Sequence, residues 1–342
     1  MSAEPFLRRA LIVAPGWIGD TLLAQPLFAR LQQKYPGIVL DAIAPGWTAP
    51  VLERMPEIHR VFPSGTVRGR LGLRRRLQQG RALAESHYDA AFVLPNSFKS
   101  ALVPLFARIP LRVGYTGEAR LGLLNRRHHR NRRRPAPMVE HYAQLAEPPG
   151  APVHRPLAAS HLRVDEVNRE RAREHLRLAM DQPVIAFCPG AEFGPAKRWP
   201  VAHYAALAKA LIEMGYAVWL FGSSNDRPVG AAVAQAAGSR CIDLTGRTEL
   251  GAAIDLMSYA RAVVSNDSGL MHVAAALGKP LVALFGSSSP HHTPPQSASA
   301  ESLWLGLPCS PCFKRECPLG HFRCMRDLLP AQVLERLRRY SI

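Results

Sequence analysis

Ser265-Asn266-Asp267-Ser268-Gly269-Leu270-Met271-His272, running on to Gly278-Lys279-Pro280, follows a β-type run, Arg261-Ala262-Val263-Val264, and precedes a helix-forming one, Val273-Ala274-Ala275-Ala276-Leu277. The pattern puts a polar, glycine-bearing turn between a strand and a helix. Asp267 or Ser268 is placed to cap that helix, and Gly269 lets another group approach the backbone closely. Open N–H groups and the positive end of the helix dipole favour an anion at such a turn, most often a phosphate. An ordinary capped helix in an α/β sheet carries the same signature, so this turn alone decides nothing about chemistry.

Similar turns recur. Ala10-Leu11-Ile12-Val13-Ala14 reads as a buried strand entering Pro15-Gly16-Trp17-Ile18-Gly19-Asp20-Thr21, with a helix from about Leu22. Val184-Ile185-Ala186-Phe187-Cys188 enters Pro189-Gly190-Ala191-Glu192, and Val218-Trp219-Leu220-Phe221 enters Gly222-Ser223-Ser224-Asn225-Asp226. Strands alternating with helices imply βαβ units and parallel sheets covered on both faces. Two such starts, near residues 10 and 184, imply two similar domains. The first unit runs from Leu7 to about Ala146, with five strands expected at 10–14, 39–44, 60–62, 90–94 and 111–113. Pro148-Pro149-Gly150-Ala151-Pro152 breaks regular structure, and Asp165 to Met180 reads as a charged helical bridge. Five more strands are expected at 184–188, 217–221, 240–243, 262–265 and 281–285. The domain division is thus 1–160 and 161–330, with a terminal helix (331–342) expected to pack back on the first domain.

The chain has 342 residues, 47% of them hydrophobic and 20% charged, a globular composition large enough for two cores. No signal peptide is evident, and His272 and Lys279-Pro280 interrupt the best apolar stretch, so a soluble cytoplasmic protein is expected. The formal charge is +17 and uneven: residues 1–150 hold 22 Lys and Arg against 10 Asp and Glu. One acid-free block holds Arg68, Arg70, Arg74, Arg75, Arg76 and Arg81; another holds Arg120, Arg126, Arg127, Arg130, Arg132, Arg133 and Arg134. Such blocks are either solvated faces or footprints for a polyanion. No nucleic-acid motif accompanies them and no aromatic residues interleave with the arginines, which leaves an anionic membrane surface or a phosphorylated lipid as the partner class.

Five motifs in order carry a resemblance: Gly16-Trp17-Ile18-Gly19-Asp20-Thr21, Asn96-Ser97-Phe98-Lys99-Ser100, Pro189-Gly190-Ala191-Glu192, Lys197-Arg198-Trp199-Pro200, and Asn266 to His272. Together they resemble the ADP-heptose:lipopolysaccharide heptosyltransferases, nearest the type II branch through the Lys197 block and the run Cys309 to Cys317. The resemblance implies an α/β GT-B architecture, two Rossmann-like domains with parallel sheets facing a central cleft. It implies inverting transfer of L-glycero-D-manno-heptose from ADP-heptose to the first heptose of Kdo–lipid A, on the cytoplasmic face of the inner membrane. A relative with another core acceptor, a catalytically inactive nucleotide-binding GT-B protein, and a sugar-nucleotide epimerase of related architecture remain open at this level.

Inverting transfer needs a base for the attacking hydroxyl and positive charge for the departing diphosphate. Asp20 matches the family's catalytic acid and is the expected base, with helix capping as its structural alternative. Lys197, on a loop, is expected to neutralise the pyrophosphate, with help from amides at Ser268, Gly269 and Leu270. Asp267 is expected near the heptose, His272 one helical turn beyond it, and Asp226 at the ribose. Gly19, Ser97 and Lys99, then Arg126 and Arg127, are the acceptor candidates. No Asp-x-Asp pair stands at a strand end, so no cofactor and no essential divalent metal are expected. Cys309, Cys312, Cys317 and Cys324 show C-x2-C-x4-C-x6-C spacing with His321 between the last two. That spacing suits zinc or iron–sulfur ligation, but the resemblance implies a cluster without a metal in the chemistry, so reduced thiols and no metal site are expected. Cys188 and Cys241 read as small core residues.

Overall fold

Each apolar strand start builds its own parallel sheet. The computed structural model describes residues 6–65, 71–131 and 136–342, so Arg68, Arg70, Arg132, Arg133 and Arg134 of the two arginine blocks lie outside the described residues. The chain divides into two units between Ala159 and Ser160.

The first unit contains β1 (Arg9–Val13), β2 (Val39–Ala44), β3 (Ile58–Pro63), β4 (Ala90–Val93), β5 (Leu111–Tyr115) and β6 (Arg126–His128). They form one six-stranded sheet in the order β3-β2-β1-β4-β5-β6, parallel throughout. The second unit contains β7 (Val184–Cys188), β8 (Ala217–Leu220), β9 (Cys241–Asp243), β10 (Ala260–Asn266), β11 (Leu281–Phe285) and β12 (Ala300–Trp304). Its order, β12-β11-β10-β7-β8-β9, repeats the first: the unit's first strand lies beside its fourth. This is the doubly wound dinucleotide-fold order, and it creates a switch point where the strand sequence reverses. Strands β4, β7 and β11 are apolar and buried along their whole length because helices cover both faces of the sheet.

Two strands escape the sequence reading. β6 is Arg-Arg-His and β12 is Ala-Glu-Ser-Leu-Trp, and both lie at sheet edges. Edge strands need no continuous apolar run, and charge on an edge discourages pairing with another chain. Among the described residues each unit therefore has six strands rather than five. The charged helix Glu166–His175 buries none of its residues, yet Asp255 ties it to the second unit. Its carboxylate accepts from the Asp165 amide at 3.0 Å and from Asn168 Nδ2 at 2.7 Å.

The last helix belongs to the second unit's core. In Pro330–Arg338 and the residues after it, Val333, Leu337 and Ile342 are buried there with Trp199, Leu207, Leu211 and Met325. Its apolar face finds the helix Val201–Glu213 as a neighbour, and the Trp199 indole donates to the Leu328 carbonyl at 2.7 Å just before it.

Candidate active site

Parallel sheets collect their functional loops at the carboxyl ends of the strands, and the switch point leaves a crevice there. In the first unit the loops after β1 and β4 flank the switch point. The first leads into the helix start that holds Gly19 and Asp20, and the second carries Ser97 and Lys99. The helix after β1 begins at Ile18, earlier than the apolar pattern suggests, with Trp17 at its N-cap. Asp20 therefore lies inside the first turn, not at the cap, and is half-buried like Gly19. Its charge reaches Tyr142, a buried phenol on the helix Met138–Ala143, whose pKa rises through burial first and through Asp20 second, while Arg130 opposes the rise. Tyr142 thus sits in the field of both an acid and an arginine, a placement that the sequence reading missed because 122 positions separate Asp20 from Tyr142 along the chain.

The Ser97–Lys99 turn is built from arginines. Arg120 is buried and donates to the carbonyls of Pro95 (2.8 Å) and Tyr115 and to Asn96 Oδ1 (3.2 Å). Buried Arg76 donates to the Lys99 carbonyl at 2.9 Å, and Glu118 accepts from the Phe98 amide at 2.7 Å. Two residues of the basic blocks therefore serve the loop that presents Lys99, not a solvated face. Arg126 and Arg127 lie elsewhere. They are on edge strand β6, three strands from β1, which at the usual spacing is about 14 Å.

In the second unit the loops after β7 and β10 flank the switch point and meet through side chains. Lys197 Nζ donates to Asp267 Oδ2 at 2.6 Å, and Ser288, on the loop after β11, donates to the same oxygen. Asp267 is 5% exposed and Lys197 17%, so the pair is largely withdrawn from water. Asn266, fully buried, fixes the two loops together. Its Nδ2 donates to the carbonyls of Pro189 (2.7 Å) and Gly190 (3.3 Å), while its Oδ1 accepts from the Trp199 amide and the Tyr204 hydroxyl, both at 3.1 Å. Neither Asp267 nor Ser268 caps the following helix, Gly269–Ala276: Ser268 holds the N-cap position without a side-chain bond to the helix amides. The N–H groups of the first helical turn are thus left for another acceptor. His272 is buried on this helix and its pKa falls to about 4, through burial first and Lys197 later, with Asp267 opposing. It is a neutral imidazole at pH 7.

Asp226 is buried and tied to its own turn. It lies in the turn after β8, where its Oδ2 accepts from the Ser223 amide (2.9 Å) and hydroxyl (2.8 Å). Gly190 lies against it so closely that a Cβ there would stand 2.3 Å from the carboxyl. Signals for Asn266, Ser288, Arg76 and Arg120 were weak in the sequence, since each works by holding a loop.

Two Rossmann-ordered units, one offering an acid and the other a lysine beside a helix N-terminus, follow the plan of the GT-B glycosyltransferases. The glycosyltransferase family 9 (heptosyltransferase) model matches residues 75–323. The lipopolysaccharide heptosyltransferase 2 of Escherichia coli is 44% identical, over 96% of this chain and 97% of its own. A solved E. coli ADP-heptose lps heptosyltransferase II superposes with a TM-score of 0.86 at 42% identity, covering 97% of this chain and 98% of that one. The lipopolysaccharide heptosyltransferase 1 of Pseudomonas aeruginosa is 28% identical over 95% of this chain and 93% of its own. The chain belongs to glycosyltransferase family 9, the heptosyltransferases.

Proposed function

We propose that this enzyme is an inverting glycosyltransferase of type II, moving L-glycero-D-manno-heptose from ADP-heptose onto the first heptose of Kdo–lipid A. The observation that carries the reading is the Lys197–Asp267 pair at the second unit's switch point, beside a helix start that lacks a side-chain cap. The greater likeness to heptosyltransferase 2 than to heptosyltransferase 1 favours the type II acceptor.

Asp20 removes the proton from the acceptor hydroxyl as its oxygen bonds to the donor's anomeric carbon. The bond from that carbon to the diphosphate breaks, and ADP leaves carrying the electron pair. Lys197 and the amides of Ser268, Gly269 and Leu270 stabilise the new charge. Asp267 holds Lys197 before the donor arrives and then takes hydrogen bonds from the heptose. His272, neutral, lines this pocket, and Asp226 meets the ribose through Oδ1, since Oδ2 is committed to Ser223. Gly19 leaves room for the acceptor, Ser97 and Lys99 bind its phosphates or sugar, and Arg126 and Arg127 engage it farther out. No cofactor and no essential divalent metal enter this scheme, because lysine and helix amides supply the positive charge.

The enzyme works as a peripheral protein at the cytoplasmic face of the inner membrane. Supporting this, residues 1–150 carry an excess of twelve basic groups, and no helix among the described residues is long and apolar enough to cross a membrane. Incubating ADP-heptose with and without heptosyl-Kdo–lipid A, with no added Mg2+ or Mn2+, tests the reading. Product that requires that acceptor is expected. Donor conversion without acceptor, or transfer only to unheptosylated Kdo–lipid A, would overturn it.

A further inference from the structure

One tetrapeptide occurs twice in the first unit. Ala14-Pro15-Gly16-Trp17 leaves β1, and Ala44-Pro45-Gly46-Trp47 leaves β2. These strands are parallel neighbours that pair Val13 with Ile43, and the Ala14 amide donates to the Ile43 carbonyl at 3.0 Å. The two copies therefore leave the sheet side by side and in register. Each runs into a short helix, Ile18–Leu23 and Ala49–Glu53, and the two helices pack on each other. The copies also stay joined beyond the strands, because Trp47 Nε1 donates to the Gly16 carbonyl at 2.9 Å.

Indole rings are usually well buried, as Trp199 and Trp219 are in the second unit, yet Trp17 and Trp47 are 39% and 49% exposed. Trp47 spends its one polar atom inside the chain, which fixes the ring while much of its apolar surface stays in water. The glycines beside the rings answer to neither backbone nor packing. Neither Gly16 nor Gly46 takes a positive φ, and a Cβ on either would meet no atom within 4 Å. Open ground thus adjoins each exposed ring. Trp17 is the N-cap of the helix whose first turn holds Asp20, and Lys99 follows β4, the strand on the other side of β1. Two rings and a cation flank the proposed base along one sheet edge.

We propose that Trp17 and Trp47 form an aromatic platform for a sugar ring of the acceptor, taking the C–H face of a pyranose beside Asp20. This rests on the acceptor being the heptosylated core named above. A pyranose has a polar rim of hydroxyls and a face of C–H bonds, whose partial positive charge suits the negative face of an indole. Binding by that face leaves the hydroxyls unspent, so the attacking one stays available to Asp20. Rings already fixed by the chain lose little freedom when the sugar arrives. Trp17 and Trp47 position the acceptor and take no part in proton transfer.

The test is steady-state kinetics of Trp17→Leu and Trp47→Leu with two acceptors: the acyl-free heptosyl-Kdo saccharide, and heptosyl-Kdo–lipid A in phosphatidylethanolamine–phosphatidylglycerol vesicles. With both acceptors, the acceptor KM should rise about tenfold in each variant, while kcat and the KM for ADP-heptose hold. Trp47→Phe keeps a ring face and loses the bond to Gly16, and it should recover most of the loss. The tryptophan emission of the unmodified chain should shift on titration with the acyl-free saccharide in the absence of donor. An unaltered acceptor KM in both leucine variants would overturn the platform. A rise seen only with vesicles would overturn it too, assigning the rings to the lipid surface, as would a rise that Trp47→Phe does not relieve. Absence of transfer by the unmodified chain strikes the acceptor reading instead; the emission titration then judges the platform, and an unchanged spectrum overturns it. The same titration decides if the leucine variants fail to fold.

Discussion

At the residue scale the decisive groups are few, and charge on each does different work. Asp20 lies in a helix's first turn, where its charge is worth a favourable dipole contact of about a few tenths of a kcal/mol and asparagine keeps its shape. Asp20→Asn should therefore melt with the unmodified chain while its kcat falls by roughly 10²–10⁴-fold, the usual worth of a general base. Retained turnover would remove Asp20 from the chemistry. Lys197→Met should cost roughly 10²–10³-fold in kcat. It also strands Asp267, 5% exposed, beside Ser288 alone, so a loss of stability should accompany the loss of rate. Asp267→Asn in the same background should restore part of that stability and none of the rate, as read by denaturant titration and steady-state kinetics.

At the element scale, loops are held by buried polar side chains that no apolar pattern announces. Asn266 satisfies four partners on two other segments. Asn266→Ala leaves them unpaired in a dry interior and should destabilise the second unit by about 3–5 kcal/mol, measured from urea midpoints. A change below about 1 kcal/mol would mean that water replaces the amide. The terminal helix is the converse case, held by packing. Leu337 is fully buried, so Leu337→Ala should cost about 2–5 kcal/mol and should act on the unfolding of the second unit. An effect confined to the first unit would contradict the packing seen here.

At the scale of the whole molecule, two of the buried histidines, His128 in the first unit and His272 in the second, are lowered by burial to about 4. An unfolded histidine titrates near 6.5, so between pH 6.5 and 4 the unfolded chain takes up protons that the folded one refuses. Stability is therefore full above that window and declines as pH falls through it, by up to about 1.4 kcal/mol per pH unit for each histidine. Denaturant titrations at successive pH values should show this slope, and His272→Gln should flatten it in the second unit alone; an unchanged slope there would refute the assignment. The sequence by itself determined the repeated strand–turn–helix pattern, the two parallel units and the polar turns that end β1, β4, β7 and β10. Those properties rest on local apolar runs and turn residues. Only the tertiary structure decided that Lys197 meets Asp267, that Asn266 ties their loops, that Asp226 turns inward and that the last helix joins the second core. Edge strands β6 and β12 likewise form by pairing with neighbours far along the chain. A hydrogen bond or a packed face between distant segments leaves no periodic trace in either segment, and is settled by where the sheets carry them.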